Sequence, residues 1–243
     1  MSKEKPLLGV IGGLGPMATT HFMELVIRMT DASTDQQNLD MIVYNFPSIP
    51  DRTGYILGSN LRSPLPGLLS VGNALARQGA DYIAIPCMTA HYFYEELQAG
   101  IPAKVIHCVR DTVSHLKENG ITAAGLMATD GTIASNLFLR ELIEAGILPV
   151  LPSEERQADV MHLIYRNIKA GDPVEMDRFQ AVEQELRGKG AQVIILGCTE
   201  LSLIKRDYEI GAGFLDAMEV LAQQAVLLGG RKLKTEYRNL ITV

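Results

Sequence analysis

Two hydrophobic periods alternate along the chain. Short apolar runs rich in β-branched residues predict strands at Leu7–Gly12, Asp40–Asn45, Tyr82–Pro86, Lys104–Ile106, Ala123–Met127, Leu148–Leu151 and Val193–Leu196. Between them, apolar residues recur at helical spacing over Met17–Thr30, Leu65–Gln78, Ala90–Gln98, Cys108–Asn119, Ile133–Ala145, Glu154–Ile168, Val174–Arg187 and Phe214–Leu228. The strands are apolar on both faces and are separated by helices, which is the pattern of parallel sheets covered on both sides. The fold class predicted is α/β.

The pattern also repeats. A shift of 111 residues lays "LLSVGNALARQGADYIAIPC" on "FQAVEQELRGKGAQVIILGC" without a gap and matches Val71 to Val182, Gly79 to Gly190, Ile83 to Ile194 and Cys87 to Cys198. A shift of 116 lays "GVIGGLGPMA" on "GLMATDGTIA", matching Gly9 to Gly125, Gly15 to Gly131 and Ala18 to Ala134. Each unit is a helix, a glycine stop, a buried strand and a cysteine at the strand's carboxyl end. The chain therefore reads as two duplicated, pseudo-symmetric α/β domains with a seam near Asn119-Gly120. The first is expected to span residues 1–117 plus 212–243, with the helix Phe214–Leu228 returning to cover it, and the second residues 118–211.

Composition narrows the function classes. The 243 residues are 47% hydrophobic and 21% charged, with a net charge of −6, so a sizeable core is available and no basic patch points to nucleic acid. No apolar run approaches a membrane span. The N-terminal "MSKEKPLLGVIGG" turns glycine-rich too soon for a secretory signal. Three cysteines without a CxxC or CxxH pair make neither a disulfide framework nor a metal ligand set. A cytoplasmic protein with reduced thiols is expected.

Five features carry candidate chemistry. The loop Gly12–Ala18 satisfies a loose G-x-G-x-x-A, but the following strand ends in Asn45 rather than an acidic residue, which argues against a dinucleotide. Its amides at a helix start suit a small anion instead, or serve only a tight turn. Cys87 and Cys198 sit where open α/β sheets place ligands, and a following helix N-terminus is expected to lower a thiol pKa. Across a pseudo-twofold axis, two such thiols would face one molecule from opposite sides, an arrangement for removing a proton from one face of a carbon and returning one to the other. The lone Cys108 reads as core packing. Arg52, in the proline-stiffened loop Phe46–Thr53, either presents a bidentate fork to a carboxylate or pairs with Asp51 at the surface. Lys169 ends a helix and either satisfies its last carbonyls or reaches a ligand. His91 and Glu200 closely follow the cysteines and either tune the thiols or act as caps.

Taken together, "IGGLGPMAT" (Ile11–Thr19), "PSIPDRT" (Pro47–Thr53), "PCMTAH" (Pro86–His91), "DGTIAS" (Asp130–Ser135) and "GCTEL" (Gly197–Leu201) resemble the aspartate/glutamate racemase superfamily, and within it the aspartate racemase branch. The resemblance implies two pseudo-symmetric domains, no cofactor (neither pyridoxal phosphate nor metal), frequent homodimers, and an amino-acid racemase whose substrate is aspartate or a similar acidic amino acid. It makes Cys87 and Cys198 the two proton-transferring thiols. It places Asn45, Thr89, Thr132, Ser135 and Thr199 around the substrate's carboxylate and amine, and Arg52 with Lys169 at its side-chain carboxylate. Glu200 and Met88 fall in the same substrate-binding segments. At Met88 the family pattern Pro-Cys-Asn-Thr gives way to Pro-Cys-Met-Thr, and an apolar thioether cannot donate the hydrogen bond an Asn supplies. Losing it costs about 1–3 kcal/mol where the partner stays unpaired, so Met88 leaves the substrate's identity open. Related decarboxylases and isomerases of the same superfamily are one alternative, though retention of both cysteines argues against a one-cysteine decarboxylase; a non-catalytic binder or sensor of small acids is the alternative from another class.

Overall fold

Buried β-branched runs form strands where the period demands. The computed structural model describes residues 5–241. Met1–Glu4, the start of the segment read against a secretory signal, lie outside the described residues, as do Thr242 and Val243 at the end of the expected first domain. Strands β1 (Leu8–Gly12), β2 (Met41–Asn45), β3 (Tyr82–Ala84) and β4 (Lys104–Val105) make one parallel sheet in the order β2-β1-β3-β4. Strands β5 (Ala123–Met127), β6 (Leu148–Val150), β7 (Val193–Leu196) and β8 (Phe214–Asp216) make a second in the order β6-β5-β7-β8. The two orders are the same once the halves are superposed, so the duplication read from the sequence extends through all four strands.

The helices are α1 (Pro16–Met29), α2 (Arg52–Ile56), α3 (Leu65–Arg77), α4 (Tyr94–Gly100), α5 (Cys108–Glu118), α6 (Asp130–Ala134), α7 (Leu137–Glu144), α8 (Glu154–His162), α9 (Met176–Gly188), α10 (Thr199–Asp207) and α11 (Ala217–Leu228). Helices α1, α5, α7 and α11 pack in sequence between the sheets, α1 on α11, α11 on α5 and α5 on α7. They carry one apolar core shared by both halves, including Phe22, Val109, Phe138 and Leu221. The outer faces bury separate cores around Leu75 and Leu97 in the first half and around Phe179 and Leu186 in the second. The sites therefore hang from a common middle layer.

Several expected elements differ. The predicted helix Phe214–Leu228 begins only at Ala217: Phe214–Asp216 is a strand paired with β7, and a short apolar run cannot be told from a buried helix turn by period alone. Residues 214–216 thus belong to the second sheet, not to the first domain as a boundary at 212 placed them, whereas α11 does return to pack on α1 and α5. The predicted helix Ile133–Ala145 is broken at Asn136, whose φ of 54° is left-handed, a conformation Asn tolerates better than most residues. The predicted helix Ala90–Gln98 is a 3-10 turn over Met88–Phe93 followed by α4. The helix Glu154–Ile168 is α8 running into a π-helical turn, Leu163–Lys169. Helix α2, unmarked by any apolar period, is started by Asp51, whose carboxylate accepts the Gly54 amide at 2.6 Å.

Candidate active site

Cys87 and Cys198 stand at matching positions, one just past β3 and one just past β7, each preceding a turn or helix. Both line the same closed chamber between the halves, together with Leu14, Asp51, Arg52, Thr53, Met88, Thr89, Thr129, Lys169, Thr199 and Glu200. Its volume of about 10 Å³ holds no more than a water molecule. A cleft of about 410 Å³ lies against it and shares Leu14, Asp51, Arg52, Lys169 and Glu200. The remaining walls of this cleft come from the glycine loop, the start of α1, Pro47, Ile49, Ile168 and Leu203.

Close approach of backbones builds the chamber. Gly13, at φ 90°, could carry no side chain: a Cβ there would run into the backbone nitrogen of Phe46. Gly13 of the glycine loop is thus explained by its contact with the chain after β2. Gly131 plays the same part between the halves, since a Cβ there would lie 2.9 Å from the Cα of Thr53, where α6 meets α2.

The two thiols differ electrostatically. The Cys198 thiol donates to Glu200 Oε2 at 2.9 Å, and burial, followed by the charge of Glu200, pushes its pKa well up against the pull of Lys169. The helix start at α10 was expected to lower this thiol; burial and the carboxylate override it. Glu200 is itself buried and accepts from Thr199 Oγ1 at 3.3 Å, while Lys169 Nζ stands 3.6 Å from its Oε1. Burial alone would pull Lys169 down; Glu200, then Cys198 and Tyr165, raise its pKa above the ordinary lysine value. The ammonium also lies 4.5 Å from the Tyr165 ring centroid.

Arg52 is not a surface residue paired with Asp51. It is only 6% exposed and donates to the carbonyls of Leu14 at 2.7 Å, Pro50 at 3.1 Å and Ile49 at 3.4 Å. Its Nε is buried without a partner. Burial opposes its charge, but Cys87, then Asp51 and Glu200, raise its pKa. A guanidinium therefore faces Cys87, while a carboxylate faces Cys198.

The other expected residues divide. Met88, Thr89, Lys169, Thr199 and Glu200 line the chamber. Thr132 sits one bond behind it: the hydroxyls of Thr89, Thr129 and Thr132 lie 3.0–3.1 Å apart in a buried triangle. Ser135 lines neither cavity, because its hydroxyl turns back to the Thr132 carbonyl at 2.9 Å. Asn45 lines neither cavity and is exposed at the end of β2. His91 is buried behind Cys87, its Nδ1 3.1 Å from the Cys87 carbonyl oxygen. Sequence reasoning missed Thr129, which caps α6, Thr53, and Tyr165, whose ring lies against the Lys169 ammonium. Tyr165 lies four residues before Lys169, a helical spacing that signals a shared face.

The profile of the Asp/Glu/hydantoin racemase family matches residues 11–225. The chain is 26% identical over 227 residues to the broad-specificity amino-acid racemase of Bacillus subtilis, covering 90% of this chain and 96% of that one. An aspartate racemase of Picrophilus torridus superposes with a TM-score of 0.86 at 30% identity, covering 97% of this chain and 99% of its own. An aspartate racemase homologue from Pyrococcus horikoshii shares the fold, with a TM-score of 0.74 at 20% identity over 92% of this chain and 99% of that one. With nearly its whole length matched, the chain belongs to the Asp/Glu/hydantoin racemase family.

Proposed function

We propose that this amino-acid racemase inverts aspartate or a close acidic analogue by two-base proton transfer between Cys87 and Cys198. The observation that carries the reading is the single chamber walled by both sulfurs, one from each half. In the resting form Cys198, held protonated by burial and Glu200, is the acid. Cys87, the other cysteine of the chamber, takes the part of the base in that direction of the reaction. Cys87 removes the Cα proton from one face, Cys198 delivers its proton to the other, and the next turnover from the product enantiomer runs in reverse.

The Cα–H of an amino acid is a far weaker acid than a thiol, and this scheme draws on no cofactor. Developing charge on the α-carboxylate must be met by fixed dipoles, which the amides and hydroxyls at Thr89 and Thr199 provide at two element starts. Arg52 and Lys169, at the junction of chamber and cleft, take the side-chain carboxylate. An amino acid does not fit in about 10 Å³, so the halves open to admit it from the cleft and close to exclude water. Three unpaired cysteines suit a reducing cytoplasm, and the family resemblance supports a homodimer.

The test is solvent-deuterium wash-in at Cα of L- and D-aspartate and L- and D-glutamate. Incorporation with loss of optical activity is expected for at least aspartate; no exchange with any acidic amino acid defeats the substrate assignment. A wider substrate range is favoured by one observation: Met88 stands at the chamber, and Pro16, Met17, Ile49, Ile168 and Leu203 make much of the cleft apolar. Exchange with leucine or methionine at rates matching aspartate would decide for that reading.

A further inference from the structure

The duplication gives each half the same plan behind its cysteine. His91 lies four residues after Cys87, Ser202 four after Cys198, and the shift of 111 that aligns the cysteines aligns this pair as well. His91 Nε2 lies 3.3 Å from the carbonyl oxygen of Ile106, the residue before His107, which caps α5. Ser202 donates to Asp216 Oδ1 at 2.7 Å, and the same oxygen caps α11 by accepting the Met218 amide at 2.8 Å. Each catalytic turn is thus tied to the strand-to-helix junction that follows it, before α5 in one half and before α11 in the other.

Those two helix starts are joined directly. The Cys108 thiol at the start of α5 donates to the carbonyl of Ala217 at the start of α11 across 3.0 Å. Burial pushes the Cys108 pKa well up, which keeps that proton on sulfur. His91, Cys108 and Ser202 are all buried, and neither Cys108 nor Ser202 lines the chamber. His91 sits in the turn that follows Cys87, and its neutral ring has one N–H; donated from Nε2 to the Ile106 carbonyl, it opens a path that runs along the chain to Cys108, across to Ala217 and Asp216, and through Ser202 to the turn that follows Cys198.

We infer that His91, Cys108 and Ser202 are positioning residues of one bridge that fixes how far apart the Cys87 and Cys198 sulfurs stand. The inference rests on the two-thiol reading. Reacting atoms must meet at about 3–3.5 Å, and a misplacement of about 1 Å costs roughly a hundredfold in rate. A tie across the pseudo-twofold axis sets that spacing without touching substrate.

The test compares Cys108→Ala, Ser202→Ala, their double variant, and the conservative Cys108→Ser and Ser202→Thr, each assayed well below its unfolding midpoint. Each alanine variant should lose about tenfold in kcat, on the scale of a sub-ångström displacement, with KM within about twofold. The hydroxyl variants should recover most of the loss. The double variant should be no worse than the poorer single, because a bridge broken twice loses its function once, whereas independent losses multiply. Unchanged kcat in both alanine variants, or multiplying losses with no recovery by Ser or Thr, overturns the bridge. Failure of the two-thiol reading would show elsewhere, as racemisation surviving in Cys87→Ala or Cys198→Ala.

Discussion

The Cys198 thiol and the Lys169 ammonium meet on one carboxylate: Sγ donates to Glu200 Oε2 at 2.9 Å, and Nζ stands 3.6 Å from Oε1. Glu200 lines both the chamber and the cleft. Glu200→Gln removes the charge that favours the protonated thiol. The Cys198 pKa should fall, and each unit of that fall gives about tenfold more thiolate at a fixed pH. Alkylation of Cys198 by iodoacetamide, resolved by mass spectrometry across pH, should speed up while that of Cys87 stays constant; an unchanged Cys198 profile would show that Glu200 does not hold the proton.

Arg52→Lys keeps the charge but loses the planar fork and the bonds to Leu14, Ile49 and Pro50. The KM for aspartate should rise about tenfold or more, the loss of a charge-assisted hydrogen bond being about 1.5–3 kcal/mol. A neutral amino acid such as methionine should be affected much less. Equal losses for both substrates would place Arg52 in loop architecture alone.

Gly131→Ala puts a methyl group 2.9 Å from the Thr53 Cα and forces α6 off α2. Overpacking of this kind costs about 1–3 kcal/mol, read as a lower urea midpoint at constant slope. Because α2 carries Arg52, kcat should fall as well. A variant with both quantities unchanged would mean that the halves do not need this contact.

His107, half-buried at the cap of α5, has its pKa lowered to about 4, chiefly by desolvation and then by His91 and Arg110. The unfolded ring binds its proton near 6.5, so the unfolded state takes up more protons and stability is lost as pH falls from about 6.5 to 4. Asp111 and Glu219 are raised to about 6 and about 7, and they act with opposite sign across overlapping ranges. The difference curve between the parent and His107→Asn isolates the histidine: it should slope over that window and lie flat above it. A flat difference throughout would refute the half-buried neutral imidazole.

The fold was legible in the sequence because short apolar runs alternate with segments of helical period, and the repeated Gly-x₇-Cys spacing pointed to both the duplication and the two matching cysteines. Phe214–Asp216 escaped because three buried residues carry no period, and the π turn at Leu163–Lys169 because its residue pattern continues that of a helix. Cys108 packs in the shared core as its pattern implies, but its bond to a backbone carbonyl 109 positions away is encoded by no local pattern. The direction of the Cys198 shift was misread for a related reason: a helix start is visible in sequence, but the depth of burial and the rotamer that turns Glu200 onto the sulfur are not. Asn45 and Ser135 were placed by motif alone, and the backbone turns them elsewhere.

The central claim is that two sulfurs serve opposite faces of one carbon, and single removal of each thiol addresses it most directly. Cys87→Ala and Cys198→Ala, each assayed for loss of optical activity from both enantiomers of aspartate, should both be inactive as racemases while remaining folded. Full racemisation by either variant would contradict the account.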